Sequence, residues 1–304
     1  MDFSIIIPHR NIPNLLERCL KTIPIRNDIE VLVVDDNSNP AVLKSLYKIE
    51  ENFKRVKFVY LSIGGGGGKA RNIGIEGASG KYLIFADADD FFEDNFNSIL
   101  DEYKEKDFDL AFFKGTSCDT DTYELTHRAD HLNRYVDMYL QGVDKEANHL
   151  RFLFGEPWCK IIKRELVNEF NIKYDETKIH NDTTFAYLIG YHAKKVIVDR
   201  RPLYCVTTRK GSVSVMVSDD RILTRVNVYG RAELFFKEKR IPLFIDGHYV
   251  QLVRLLAHGR ISLFNQCVAD LKTLGLSSLH IFKNIIMTFL NLMIKKRDNE
   301  KIEW

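Results

Sequence analysis

The sequence predicts an α/β fold, a mostly parallel sheet flanked by helices, with a helical extension at its C-terminal end. Three observations predict it. Up to about residue 113, short β-branched runs alternate with helically spaced apolar positions, the pattern of a sheet covered by crossover helices. Each connection between these runs is long enough to bring the next strand back parallel. Beyond about residue 219 the strand pattern gives way to long helical segments. The 304 residues suffice for one large domain or two ordinary ones, each with a real core.

Strands are predicted at Phe3 to Pro8, Ile29 to Val34, Val56 to Leu61, Tyr82 to Ala86 and Asp109 to Phe113. Between the first two, Leu15, Leu16, Cys19, Leu20 and Ile23 recur at helical spacing, with Pro13 near the start and Pro24 as the stop. A second helix carries Val42, Leu43, Leu46 and Tyr47, and a third runs from about Lys69 to Ala78 after five glycines. From about 114 to 150 the pattern loosens; it tightens again around Phe152 to Val167 and Asp182 to His192. The tail reads as helices over Asp219 to Lys239, around Tyr249 to Phe264, and over Ser277 to Lys296. Parallel strands put the segments after Pro8, Val34, Leu61 and Ala86 along one edge, where a ligand should sit.

Composition narrows the function. Against 44 basic residues stand 42 acidic ones, a net charge of +2, so no strong field advertises a nucleic-acid partner. Five scattered cysteines without a C-x-x-C pair read as free thiols of a reducing compartment. The nine histidines read as structural or exposed. The first residues lack the basic start and long apolar stretch of a secretory signal, which points to the cytoplasm. Leu279 to Ile294, broken by Lys283, Asn284 and Asn291, is too short for a membrane span of roughly 20 residues.

The polar segments at the strand ends carry the chemistry. Asp87 and Asp89 stand two apart after an apolar run, with Asp90 alongside. Carboxylates so placed can meet one hard cation, Mg²⁺ or Mn²⁺, bridging a diphosphate. The plainer reading is the N-cap of a helix beginning near Glu93. Asp35-Asp36-Asn37-Ser38 has turn composition, but on this edge a carboxylate could accept from a nucleobase imide or a ribose hydroxyl. The glycine run fails as a P-loop, because Ile63 and Ala70 stand where glycine and a hydroxyl are required. It fares better as a dinucleotide fingerprint, Gly65, Gly67 and Ala70 with Asp87 about 20 residues on, so an NAD(P)-dependent oxidoreductase is a rival. A flexible loop is the third reading.

In combination these segments resemble one family. Ser4-Ile5-Ile6-Ile7-Pro8 with Asn11, Val31-Leu32-Val33-Val34-Asp35-Asp36-Asn37-Ser38, Ala70-Arg71-Asn72-x-Gly74-Ile75 and Gly80 to Asp90 are similar, in order and spacing, to glycosyltransferase family 2. Pro157-Trp158-Cys159-Lys160, Asn181-Asp182-Thr183-Thr184-Phe185 and Arg209-x-Gly211-Ser212-x-Ser214 extend the likeness to about two thirds of the chain.

The resemblance implies a Rossmann-like GT-A fold over residues 1–218, with a nucleotide-binding half (1–113) and an acceptor-binding half (114–218), ahead of the helical region 219–304. It implies a metal-dependent, hexosyltransferase-type enzyme that inverts the anomeric carbon. The donor would be a nucleoside-diphosphate sugar, foremost a UDP-sugar, and the acceptor a glycan or lipid-linked glycan. The setting would be a bacterial surface polysaccharide: capsule, O-antigen or exopolysaccharide. Carried over by position, Pro8, Arg10 and Asp36 would line the nucleobase and Arg71 would hold the nucleotide. Asp89 would be the main metal ligand with Asp87 beside it, and Asp182 the general base. As a bland alternative, Asp182 is an N-cap. The family commonly has an aromatic residue where Arg10 stands, leaving guanidinium stacking, and Glu where Asn181 stands. Arg209, with Ser212 and Ser214, reads as a loop closing on the diphosphate or as a solvated turn. Trp158 and Lys160 would shape the acceptor pocket, although a tryptophan between apolar residues more often packs. A non-catalytic sugar-nucleotide-binding or assembly subunit is the rival of another class.

In the tail, Phe282, Ile285, Ile286, Phe289, Leu290 and Met293 form a stripe followed by Lys295-Lys296-Arg297. Two expectations compete for residues 279–297. One is peripheral contact with an anionic membrane, on the inner face of the plasma membrane. The other is packing against the catalytic domain or a second subunit, giving a homo-oligomer.

Overall fold

The structure, a computed structural model, describes residues 1–143, 149–209 and 218–297. Two compact units are present, Met1–Val213 and Ser214–Trp304.

The first unit is built on β1 (Phe3–His9), β2 (Ile29–Asp35), β3 (Val56–Tyr60), β4 (Tyr82–Phe85), β5 (Phe91–Phe92), β6 (Leu110–Asp119), β7 (Lys160–Lys163) and β8 (Val196–Thr208). They form one sheet in the order β3-β2-β1-β4-β7-β6-β8-β5. β1 pairs in parallel with β2 and β4, and β2 with β3. β7 is antiparallel to both β4 and β6, so β6 regains the direction of β4 and all five strands read from the sequence point the same way. Because helices cover the sheet, β1 and β2 are buried on both faces, which is why they read as near-continuous apolar runs.

The crossovers are α1 (Pro13–Lys21), α2 (Pro40–Asn52) and α3 (Gly66–Gly77), followed by α4 (Phe96–Tyr103), α5 (Asp130–Leu140), α6 (His149–Leu153), α7 (Arg164–Glu169) and α8 (Thr183–His192). α1 starts on Pro13 and buries Leu16, Cys19 and Leu20. Two glycines allow close approaches that position the site. A Cβ on Gly68 would stand 2.0 Å from the Asp175 carbonyl oxygen, and one on Gly190 would stand 1.9 Å from that of Arg151. These bring α3 against the 175–181 loop and α6 against α8.

Three expectations change. Residues 91 and 92 are strand, and α4 begins only at Phe96 with Asn95 before it, so the acidic turn does not cap a helix near Glu93. The strand expected to stop at Phe113 continues to Asp119, through polar residues that pair with β8 across register shifts at Lys114. The segment around 249 to 264 is two helices, broken at Gly259, whose φ is +66°.

The second unit contains α9 (Asp219–Glu238), α10 (Gly247–Ala257), α11 (Ile261–Leu274) and α12 (Ser278–Arg297). Val226, Tyr249, Leu252, Leu271 and Ile281 lie in its core. His248 is buried there on Glu233, its Nε2 2.8 Å from Oε2, a structural role. Among the described residues no helix is long and apolar enough to cross a membrane.

Candidate active site

The parallel strand ends converge as the pattern predicts. Beyond the sheet the backbone stays laced: the Asp36 amide donates to the His9 carbonyl (2.8 Å) and the Leu61 amide to that of Asp35 (2.9 Å). His9 Nδ1 lies 2.8 Å from Asp35 Oδ1, while the Ile12 amide donates to His9 Nε2 (3.2 Å). That network puts the imidazole proton on Nδ1. Asp35 also accepts from the Ser38 amide and hydroxyl, so it is consumed as scaffold.

Asp36 is the carboxylate delivered to the glycine loop. It accepts from the Gly65 and Gly66 amides at 2.7 and 2.9 Å, satisfying donors at the start of α3. This bears on the dinucleotide reading, because the amides a pyrophosphate would occupy already hold a carboxylate. Arg10 reaches within 3.6 Å of Asp36 and is largely exposed, with half-buried Pro8 beside the same strand end.

Arg71, one turn into α3, is buried and joins two parts of the crevice. It donates to Asp87 Oδ1 (2.6 Å) and to Asn181 Oδ1 (3.0 Å), with its guanidinium 5.3 Å from the Tyr174 ring centre. Where the family commonly has Glu, Asn181 offers a neutral acceptor, so the charge of Arg71 is directed to Asp87.

The acidic turn is held by groups the sequence does not advertise. The Asp87 amide donates to the Tyr204 hydroxyl (2.7 Å). The Asp89 carbonyl accepts from Arg18 and from the Thr207 hydroxyl. Asp90 is buried and accepts from the Thr207 amide (2.7 Å), a structural part. Asp89 Oδ2 faces Arg209 at 3.3 Å. Burial and the charge of Asp87 push the Asp89 carboxyl above its usual range, against the pull of Arg209. Burial and both neighbouring acids push Asp90 up further. Ser212 and Ser214 lie outside the described residues.

Asp182 occupies the N-cap position of α8 and makes no side-chain capping hydrogen bond there. Burial, then the charge of Glu156, raise its carboxyl to about 6, and Arg71 opposes the shift. A carboxylate so tuned is a usable base near neutrality.

Trp158 and Lys160 do not face the crevice. Trp158 is 3% exposed and stacks on Tyr204 with ring centres 5.9 Å apart, supporting the residue that clasps Asp87. Lys160 is 2% exposed; its ammonium donates to the carbonyls of Phe154 (2.9 Å) and Glu156 and lies 4.1 Å over the Phe154 ring. Burial lowers it to about 7. Lys160 fixes the loop carrying Glu156, whose Oε1 lies 3.3 Å from His131 Nε2. Sequence reasoning missed Glu156, His131, Arg18 and Tyr204. A lone acid before Pro157 is their one local signal.

Comparison with known proteins follows this geometry. The signature of Glycosyl transferase family 2 matches residues 4–170, more than half the chain. The chain belongs to that family. Among curated members, Glycosyltransferase GlyG of Streptococcus pneumoniae serotype 4 is 26% identical over 222 residues, 69% of this chain and 72% of that protein. S. aureus TarS (1–349) in complex with UDP-GlcNAc superposes with a TM-score of 0.58 at 20% identity, over 84% of this chain and 72% of that one. Mannosyltransferase PcManGT from Pyrobaculum calidifontis, in complex with GDP-Man and Mn²⁺, gives 0.54 at 16% identity, over 98% and 88%. The family match makes the protein a glycosyltransferase, and the structural likeness makes its fold GT-A.

Proposed function

We propose that this glycosyltransferase inverts the anomeric centre while moving a sugar from a UDP-sugar to a hydroxyl of a glycan or lipid-linked glycan, in surface polysaccharide synthesis. The observation that carries the reading is Arg71, which links the Asp87 carboxylate to the loop bearing Asp182. Donor-side and acceptor-side carboxylates thereby share one crevice. The relatives' nucleotide sugars support the donor class, and family membership supports the polymer setting.

In this reading Pro8, Arg10 and Asp36 receive the nucleobase, with Arg10 stacking through its exposed guanidinium. Binding would draw Asp36 from the glycine amides or share it with them. The residues fit a divalent cation. Asp89 and Asp87 are hard oxygen donors two residues apart just past β4. Among the described residues no three His, Cys, Asp or Glu side chains converge on an ion, so diphosphate oxygens would complete the shell. Mn²⁺ or Mg²⁺ held there would offset the charge of the departing diphosphate.

Arg71 faces Asp87 and Arg209 faces Asp89, so both arginines would reach a diphosphate held at the acidic turn. An acceptor hydroxyl enters from the α8 side. Asp182 takes its proton as the hydroxyl oxygen bonds to the anomeric carbon, and the bond from that carbon to the diphosphate oxygen breaks with its electron pair.

Asp182→Asn tests this. Transfer to acceptor should fall by about 10²–10⁴-fold, while donor affinity measured calorimetrically stays near that of the parent. Transfer at the parental rate removes Asp182 as base, and donor binding without transfer in the parent protein favours the assembly-subunit reading.

A further inference from the structure

We propose that the outward face of α12 docks on an anionic lipid bilayer, with the helix lying in the plane of the surface. Along this helix Leu279, Phe282, Ile286, Met287, Phe289, Leu290, Met293 and Ile294 are 43% to 79% exposed. Soluble monomers rarely show an apolar patch beyond roughly 300–600 Å², and eight large side chains in one stripe reach or pass that range.

The orientation is fixed rather than incidental. The opposite face, Ile281, Asn284, Ile285 and Thr288, is buried in the second unit. It is keyed by polar contacts: His280 Nε2 lies 2.6 Å from Glu233 Oε1, and the Asn284 amide donates to the Tyr249 hydroxyl at 3.3 Å. Rolling the helix to hide its apolar stripe would break these contacts and strand buried polar groups. The helix therefore carries large apolar side chains on its outward face as well as on the face that covers the core, unlike a helix with a single apolar stripe.

Charge selects the occupant. From Ser278 to Arg297 the sequence has Lys283, Lys295, Lys296 and Arg297 and no Asp or Glu; acidic residues return only from Asp298, outside the described residues. A second copy on a two-fold axis would set this basic helix against itself. An anionic lipid surface takes both the apolar stripe and the charge. No described helix is long and apolar enough to span, so the contact is interfacial.

The test does not depend on the catalytic reading. The full chain is sedimented with vesicles of phosphatidylcholine alone and with added phosphatidylglycerol. It should pellet with the anionic vesicles and stay in the supernatant with the neutral ones. The double variant Phe289→Gln, Leu290→Gln, whose exposed positions leave the core intact, should lower the partition constant by about tenfold or more. Lys283→Glu should weaken binding with the apolar stripe unchanged. Equal recovery in the supernatant with all vesicles overturns the proposal. So does a parent dimer, measured by light scattering, that the double variant dissociates, because the face would then be a self-interface.

Discussion

Asp182 and Glu156 form the pair whose chemistry can be read from outside. The Asp182 carboxyl is raised to about 6, so its base form accumulates as pH rises through that value. Transfer should accordingly climb with pH across the same window, measured as kcat under saturating donor and acceptor. Glu156 is held below its usual range: burial opposes ionisation, and the His131 hydrogen bond, the backbone amide of Glu156 and the charges of Lys160 and His131 together outweigh it. It is thus already charged where Asp182 titrates. Glu156→Gln removes a negative neighbour and should move the acidic limb of the profile to lower pH; an unmoved limb disconnects the two residues. Arg209 carries a different expectation. It faces Asp89 at 3.3 Å in a partly exposed pair, which by itself stabilises the fold little. Arg209→Ala should therefore leave the melting temperature nearly unchanged and weaken donor affinity by about tenfold, the effect of losing one charge-assisted contact. Unchanged affinity and turnover would return Arg209 to the solvated-turn reading.

The glycine run becomes intelligible through the element it opens. α3 begins at Gly66, its first amides hold Asp36, and Gly68 lies where a Cβ would collide with the Asp175 carbonyl oxygen. Gly68→Ala should cost about 1–3 kcal/mol of stability, as overpacking does. It should weaken donor binding too, because Arg71 is carried on the same turn; thermal unfolding and donor titration measure both. Much at this level was legible. β1, β2 and β4 announce themselves because burial on both faces makes them near-continuous apolar runs. β8 did not: Asp199, Arg200, Arg201 and Pro202 interrupt it where it shifts register against β6, so its apolar residues never form one run. β5 has two residues, too few for any periodicity.

Across the chain, the legibility of the site follows distance along the sequence. Asp36, Arg71, Asp87 and Asp89 each sit just past a strand or within the helix that follows one, so topology alone sends them to one edge. Asp182 could be assigned only through family resemblance, because 95 residues separate it from Asp87 and nothing local relates them. Glu156, Arg18 and Tyr204 act through contacts across 26 residues or more, which no motif encodes. Trp158 packs, as a tryptophan between apolar residues commonly does, while the sequence carries no sign that Tyr204 is its partner or that the 154–156 loop receives Lys160.

On the proposed function, a cation and a diphosphate held at the acidic turn would join these parts. Calorimetric titration of UDP into the parent protein and into Asp89→Asn, each with Mn²⁺ and with chelator, measures that joint binding. UDP should bind the parent with Mn²⁺ and weaken by about tenfold or more when the cation is removed or Asp89 neutralised. Equal affinity in chelator and in Asp89→Asn would contradict a cation held between these carboxylates and the donor.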